Sequence, residues 1–146
     1  MIALVVDQEE QRLQSLVSQV RILEAYLDEV SARENMTGRA IVESRASLEA
    51  VRALTSAPNN DVLLPIGAGV LINSAMAKPE KLFISIGAGA VVSKTPEETI
   101  SLVEQRIKEL ETALENLQQQ KAQVENQIGS YRAAVNDIVE KARKET

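Results

Sequence analysis

Residues 64–72 read LPIGAGVLI, and residues 84–92, which follow twenty positions later, read ISIGAGAVV. In both copies a Gly-Ala-Gly triplet separates two runs rich in Ile, Val and Leu. Glycine reaches the positive-φ backbone conformations that a tight chain reversal requires, and β-branched residues favour strands. The repeat therefore predicts two β-hairpins, with strands at about 62–66, 70–76, 81–86 and 90–94.

The predicted strands are apolar on both of their faces. Every residue from 62 to 72 is non-polar, and between 82 and 92 only Ser85 is polar. A sheet of this kind has to be covered on both faces, and its open edges expose unpaired backbone groups. We expect other subunits to complete a β-barrel around these hairpins, which makes the chain an obligate oligomer.

Long polar arms precede and follow the repeat, and both have apolar residues at alternating spacings of three and four. A period of 3.5 residues sustained over several heptads is typical of a coiled-coil seam. Thr95, Pro96 and the acidic Glu97 and Glu98 supply the N-cap and first turn of the second helix. Both arms are therefore predicted to be helices of roughly 45 residues. The seam positions are Leu13, Leu16, Val20, Leu23, Leu27, Val30, Glu34, Thr37, Ile41, Ser44, Leu48 and Val51 in the first arm, and Ile100, Val103, Ile107, Leu110, Leu114, Leu117, Lys121, Val124, Ile128, Tyr131, Val135 and Ile138 in the second.

Two helical arms of similar length around a β insert predict a chain that folds back on itself. The fold class is mainly α with a small β insert: an antiparallel two-helix coiled coil joined by two β-hairpins that assemble into an oligomeric β-barrel platform. When layers are counted from the insert, Glu34 and Lys121 fall at matching heights, and a buried charge needs such a partner. Because their apolar residues face each other, the arms are not expected to cover the strands. The predicted organisation is a single chain with a first helix over 1–57, the hairpins over 58–95 and a second helix over 96–146.

The composition excludes several classes of function. The chain has 146 residues, a net charge of −5, only 2% aromatic residues and neither His nor Cys. An acidic chain with few aromatic rings is a poor partner for nucleic acid. Without imidazole or thiol groups it lacks the usual general base, the thiolate nucleophile and every Cys/His zinc site. We predict no catalytic residue, no metal and no cofactor, and therefore a protein that is not an enzyme.

Nucleotide binding and membrane insertion are also disfavoured. A dinucleotide-binding G-x-G-x-x-G motif needs a third glycine ahead of a helix, whereas Ile72 and Val92 occupy that position within predicted strands. The longest apolar run covers 11 residues at 62–72, about half of what a bilayer crossing needs. Residues 1–6 lack the positive charge and the length of a signal peptide, so a cytoplasmic protein is expected.

A further group of apolar residues lies at the free ends of the two arms. Residues 2–6, IALVV, precede the first helix, and in the predicted hairpin they lie near residues 135–139 of the second arm. One interpretation is a hydrophobic plug that closes the coiled coil. The other is a partly open apolar end that contacts exposed hydrophobic segments of other proteins, because the last layers of a coiled coil have neighbours on one side only.

The order of these features resembles the alpha subunits of prefoldin, in particular the archaeal type. The resemblance covers essentially the whole chain: a coiled-coil arm, LLPIGAGV at 63–70, ISIGAGA at 84–90 and a second arm. It implies a hexamer of two alpha and four beta subunits, in which the hairpins form a double β-barrel platform that carries six coiled coils. It also implies ATP-independent capture of non-native proteins and their transfer to a group II chaperonin.

The resemblance also implies roles for particular residues. Client proteins would contact the ends of the arms, through Ile2, Val5, Val6, Leu13, Leu16, Val135, Ile138 and Val139. The platform would be formed by Val62, Leu64, Ile66, Val70, Ile72, Phe83, Ile84, Ile86, Val91 and Val92. The alternative function is a structural coiled-coil scaffold or adaptor that binds folded partners, and such a protein would not suppress the aggregation of a denatured one.

Overall fold

The computed structural model describes residues 2–145 of the chain. In chain order the elements are α1 (Ile2–Ser56), β1 (Asn59–Gly67), β2 (Val70–Ala77), β3 (Leu82–Gly87), β4 (Ala90–Lys94) and α2 (Pro96–Lys144). The predicted order of a helix, two hairpins and a second helix is confirmed. In this part of the chain, neither helix has a stretch long and apolar enough to cross a membrane.

Helix α1 includes the first apolar residues of the sequence. It has 55 residues and α2 has 49, against a predicted length of roughly 45 for each. Residues 2–6 belong to α1, so the expectation that they precede the helix is wrong. No glycine or proline interrupts residues 2–13, and Val6 lies one heptad before Leu13, so the helical pattern continues into this segment, where residues 2–12 are all exposed. Met1 lies outside the described residues.

Two compact units divide the chain, and each contains parts of both helices. The first comprises residues 1–38 and 112–146, and the second comprises residues 39–111. The predicted seam is confirmed, since all twelve of its positions in each helix are buried or half-buried. The most buried of them are Val30, Val124 and Ile128 in the first unit and Ile41, Leu48 and Ile107 in the second.

Ion pairs show that the helices run antiparallel in the first unit. Glu24 accepts a hydrogen bond from Arg132, and Glu34 Oε2 accepts one from Lys121 Nζ at 3.0 Å. A step of ten residues forward along α1 is thus matched by a step of eleven backward along α2. The predicted pairing of Glu34 with Lys121 is confirmed. Their side chains are 23% and 35% exposed, so the pair is half-buried and not fully buried as expected.

The second unit has two arginine–glutamate pairs between its helices. Arg45 Nη2 donates to Glu111 Oε1 and Arg52 Nη2 donates to Glu104 Oε1, both at 2.6 Å. Seven residues forward on α1 correspond here to seven backward on α2, which is one heptad. All four side chains are about half exposed, so each pair adds ~0–1 kcal/mol of stability and acts mainly on helix register.

Side-chain hydrogen bonds mark the junctions between helices and strands. At the start of α2, the Thr95 backbone N–H donates to Glu98 Oε2 and the Glu98 N–H donates to Thr95 Oγ1, each at 3.2 Å. This capping box satisfies two backbone donors that lack a partner within the helix, and it confirms the predicted N-cap. At the end of α1, the Asn60 side-chain amide donates to the Leu54 carbonyl oxygen at 3.1 Å and ties β1 to the helix.

The two hairpins are separate antiparallel sheets, one of β1 with β2 and one of β3 with β4. Each closes through a two-residue turn, Ala68–Gly69 or Ala88–Gly89, whose residues have φ between 50° and 76°. Positive φ at both positions is the type I′ geometry that matches the twist of a hairpin. Strand β1 starts at Asn59 and not at 62 as predicted, because backbone pairing with the end of β2 does not require apolar side chains. The described residues of one chain do not close a barrel.

A β-bulge precedes each turn. The strand register passes from Pro65 to Gly67 and from Ser85 to Gly87, so Ile66 and Ile86 have no partner across the hairpin. The glycines that follow them have φ of 113° and 101°, values that residues with a Cβ rarely adopt. The repeat in sequence is therefore also a repeat in backbone conformation.

Candidate interaction surfaces

The hairpins expose most of their apolar side chains. Of the ten residues predicted for the platform, seven are exposed, and Val62, Ile84 and Val92 are half-buried. Phe83 is the most exposed of the ten at 75%. A concentration of exposed apolar side chains in one segment is typical of an interface with another chain.

The bulges place equivalent residues on the two hairpins. Ile66 and Ile86 are 62% and 60% exposed, and each lies at the extra position of its strand. A bulge bends the strand and redirects the side chain at that position. Leu63 and Leu71, which the sequence-based prediction omitted, are also exposed. The backbone of each hairpin thus presents one isoleucine in the same local geometry.

Both small sheets have open edges. Because each sheet has two strands, every strand has one edge without a partner in the described chain. An open edge offers backbone N–H and C=O groups to a strand from another chain. Pro65 has no backbone N–H, so β1 lacks one hydrogen-bond donor. Ser85, at the equivalent position of β3, has a backbone N–H. The hairpins therefore offer backbone pairing as well as apolar contact.

The second hairpin lies beside the first turns of α2. Ile84 and Ile86 line a groove of about 310 Å³ together with Leu102 and Arg106 of the helix. Ile86 stays 60% exposed in this groove, so α2 lies near the hairpin without burying it. Leu102 lies outside the predicted seam and is half-buried, which explains how α2 has an apolar side chain available here.

A second apolar surface lies in the first unit, at the start of α1 and the end of α2. It is an open groove of about 600 Å³, which we call the terminal groove. Five apolar side chains, three carboxylates and one guanidinium line this groove. Its lining residues are Val6, Glu9, Glu10, Leu13, Ile138, Val139, Ala142, Arg143 and Glu145.

The residues predicted to contact clients all lie in this unit, at or near the terminal groove. Ile2, Val5 and Val6 are 83%, 56% and 44% exposed. Exposed fractions this large do not fit a closed hydrophobic plug. A smaller groove of about 320 Å³ follows along the helices and is lined in part by Val17 and Val135. Of the other predicted residues, Val139 is exposed, and Leu13, Leu16, Val135 and Ile138 are half-buried in the seam.

The two surfaces consist mainly of apolar side chains, and apolar contact is the chemistry that they offer to a partner. Between residues 2 and 145, no three acidic side chains are placed to hold a metal ion. Over the same range, every buried side-chain nitrogen or oxygen has a hydrogen-bond partner.

Helix α1 exposes four further apolar residues that sequence reasoning missed. Ile22, Tyr26, Met36 and Val42 are between 41% and 70% exposed. They lie outside the seam, so the heptad periodicity does not mark them. The signal that identifies them is an apolar residue outside the seam, where a two-helix coiled coil normally has a polar one.

Comparisons with known proteins point to one family. The family model described as "Prefoldin subunit" matches residues 23–141. The prefoldin subunit alpha of Nitrosopumilus maritimus is 30% identical over 131 residues, which cover 90% of this chain and 90% of that protein. The prefoldin subunit alpha of Methanospirillum hungatei is 32% identical, over 87% of this chain and 90% of its own length.

Solved structures of similar fold come from the same family. A chain of the filamentous PFD from Methanocaldococcus jannaschii matches with a TM-score of 0.65 and 25% identity, over 78% of this chain and 95% of that one. The prefoldin beta subunit from Thermococcus strain KS-1 matches with a TM-score of 0.61, over 86% of this chain and 90% of that one. Its sequence identity of 15% makes this second likeness one of fold alone.

Proposed function

This chain belongs to the prefoldin family of chaperone subunits, and we propose that it captures non-native proteins with its terminal groove, without ATP, and passes them to a group II chaperonin. The relatives that are at least 30% identical to it over most of its length, as reported above, are alpha subunits, so it is of the alpha type. The proposed place of this activity is the cytoplasm.

The observation that carries the proposal is the exposed apolar surface at the terminal groove. Non-native proteins expose apolar side chains that native proteins bury, and covering such surface is favourable in water whatever the sequence. Leu13 and Ile138 line the groove, and Ile2 and Val5, which line an adjacent groove, are more than half exposed. A groove of this kind binds by apolar area and does not require a matched set of hydrogen bonds.

A single terminal groove binds weakly, and this affects the mechanism. If it covers about 200 Å² of apolar client surface, it contributes about 5 kcal/mol, against the ~8 kcal/mol of a micromolar complex. Several grooves that act on one client raise the effective concentration of each further contact. Capture therefore depends on an assembly of several subunits, and release does not require ATP because each contact is weak.

Assembly depends on the hairpins in this proposal. They join beta-type subunits in a hexamer of two alpha and four beta subunits and complete a double β-barrel platform. Two features support this role: the seven exposed platform residues and the open strand edges of both sheets. A partner that pairs with these edges and covers these side chains satisfies the unpaired backbone groups and buries the exposed apolar surface at the same time.

Truncation tests the division between capture and assembly. A chain without residues 1–8 and 135–146 is mixed with a beta-type prefoldin subunit, and its mass is measured by light scattering. We expect the mass of the complex to correspond to the same number of subunits as with the full chain. Suppression of the aggregation of a chemically denatured protein should fall several-fold, because the truncation removes most of the terminal groove.

A full-length variant with Gln8→Ser and Gln11→Ser is the control for this experiment, since both residues are exposed and polar. A truncated chain that no longer assembles would contradict the division of roles. A full-length complex that does not suppress aggregation at all would favour the alternative, a coiled-coil scaffold for folded partners.

A further inference from the structure

The helix pair of the first unit has two chemically different flanks. On one flank, the residues that directly follow seam positions Leu23 and Tyr131 are Glu24 and Arg132, which form an ion pair. The opposite flank consists of residues that directly precede seam positions along each helix. We call this side the neutral flank, and its main members are Ile22, Tyr26 and Met36 on α1 and Gln120, Gln123 and Gln127 on α2.

The neutral flank is exposed and has no net charge. Ile22, Tyr26 and Met36 are 66%, 41% and 70% exposed, and the three glutamines are also exposed. Glu29 and Arg33 lie between Tyr26 and Met36 on α1. They form an ion pair with each other, in which Arg33 Nη2 and Glu29 Oε1 are 2.6 Å apart. This surface is therefore neutral in a chain whose net charge is −5.

The side chains of the neutral flank fit the main chain of an extended polypeptide. A glutamine amide carries both donors and an acceptor, so it can bond to backbone N–H and C=O groups of any sequence. Methionine adapts its shape to different apolar partners, and tyrosine adds a large contact area. Because the flank has no net charge, it does not select partners by the sign of their charge.

The dimensions also favour an extended segment over a second copy of this chain. From Ile22 to Met36 the flank spans roughly 21 Å of helix, which matches about six residues of extended chain. If a partner covers the three apolar side chains, roughly 400 Å² of this chain's surface is buried. A stable protein interface needs about 800 Å² from each partner. The surface is thus too small for a lasting dimer and large enough for a weak additional contact.

We infer that the neutral flank binds an extended, uncharged apolar segment of a non-native polypeptide whose other segments occupy the terminal groove. This inference rests on the proposed function, because it adds a second contact surface for the same clients. The flank raises the affinity for long unfolded chains by adding one more weak contact in the same assembly.

The test is a set of substitutions at exposed positions in the full chain, assembled with a beta-type subunit. The flank variant has Ile22→Gln, Tyr26→Gln and Met36→Gln, and glutamine keeps the helix propensity high. The matched control is Val42→Gln, which removes an apolar side chain that is 67% exposed outside the flank. Circular dichroism checks that the thermal unfolding of both variants stays close to that of the unmodified chain.

The probe is reduced, carboxymethylated lactalbumin, which stays unfolded, and its dissociation constant is measured by fluorescence anisotropy. We expect binding about tenfold weaker for the flank variant and less than twofold weaker for Val42→Gln. A flank variant that binds as well as the unmodified complex, while the truncation at the terminal groove weakens binding, would overturn the inference and leave the proposed function standing.

Two further outcomes separate the remaining possibilities. An unmodified complex that does not bind the unfolded probe would overturn the proposed function and this inference together. If light scattering shows that the unmodified complex self-associates and the flank variant does not, the occupant is a second copy, and the inference is wrong.

Discussion

The hairpins and the terminal groove both expose apolar side chains, but they differ in how closely the backbone fixes those side chains. At the two turns, Ala68 and Ala88 have φ of 50° and 52°, and Gly69 and Gly89 have φ of 76° and 75°. The terminal groove lies between two helix ends, and the first turn of α1 has no acidic residue to stabilise its start. The turn residues of one surface repeat their φ within a few degrees, whereas the other surface is formed by helix ends that fray readily.

This difference indicates different kinds of partner. A surface whose shape is fixed by bulges and type I′ turns fits one complementary surface and rejects others. A surface formed by side chains at helix ends can repack around partners of different shape. Substitutions should therefore have large, geometry-dependent effects at the hairpins and small, area-dependent effects at the terminal groove.

The largest expected effect is at the bulges. Ile66→Asp combined with Ile86→Asp would place two carboxylates in the proposed platform, where each costs several kcal/mol if it is buried without a partner. We expect binding to the beta-type subunit to weaken by at least about a hundredfold, as measured by light scattering over a concentration series. Val42→Asp, at an exposed helix position, is the control and should leave the mass unchanged. A double variant that assembles normally would contradict the platform role.

The next effect concerns the helix pair that forms the terminal groove. Lys121→Leu leaves the half-buried Glu34 without its partner and should lower the free energy of unfolding by about 1–3 kcal/mol. Adding Glu34→Leu should recover most of this loss, because two leucines pack in the seam without a desolvation cost. Thermal unfolding measures both effects. If the single variant is as stable as the original chain, the pair does not stabilise this register.

Backbone geometry at a turn gives the third effect. Gly69→Val puts a β-branched residue at a φ of 76° and should cost about 1–2 kcal/mol, seen as a lower melting temperature of the assembled complex. Gly129→Ala is the matched control with the opposite sign, since a glycine inside a helix costs about 1 kcal/mol relative to alanine. No atom lies within 4 Å of an added Cβ at either position, so the comparison isolates the backbone. Equal effects at both sites would show that the turn geometry is not a constraint.

The smallest effect is expected at the terminal groove. Exchanging two residues of α1 that lie directly beside this groove, with Ile2→Val and Val5→Ile, keeps the apolar area and changes only its arrangement. Client affinity, measured by fluorescence anisotropy with an unfolded protein, should change less than about twofold. A change of tenfold or more would mean that this groove recognises shape, and the contrast with the hairpins would be wrong.

Periodicity predicted the helices, and their similar lengths on either side of the β insert predicted the antiparallel pairing and the matching heights of Glu34 and Lys121. These features depend on local spacing and on which side chains avoid water, and both can be read along the chain. The capping box at Thr95 and Glu98 was predictable for the same reason, because its partners lie three residues apart. The doubled Gly-Ala-Gly triplet was enough to place both hairpins.

Other features could not be predicted because they depend on context. Residues 2–6 look like a separate apolar segment until Val6 is recognised as part of the heptad pattern. Positive φ at Ala68 and Ala88 is imposed by hairpin closure and contradicts the preference of alanine itself. The neutral flank becomes visible only when the seam and the ion pair between Glu24 and Arg132 assign the two sides of the helix pair.

The antiparallel pairing of α1 with α2 also has a consequence for the newly made chain. Glu24 and Arg132 are 108 residues apart, and ribosomes add roughly 5–20 residues per second, so translation separates the two partners by roughly 5–20 s. During that interval α1 has an uncovered seam in this region. The nascent polypeptide thus exposes, for several seconds, the same kind of surface that the finished protein is proposed to shield in others.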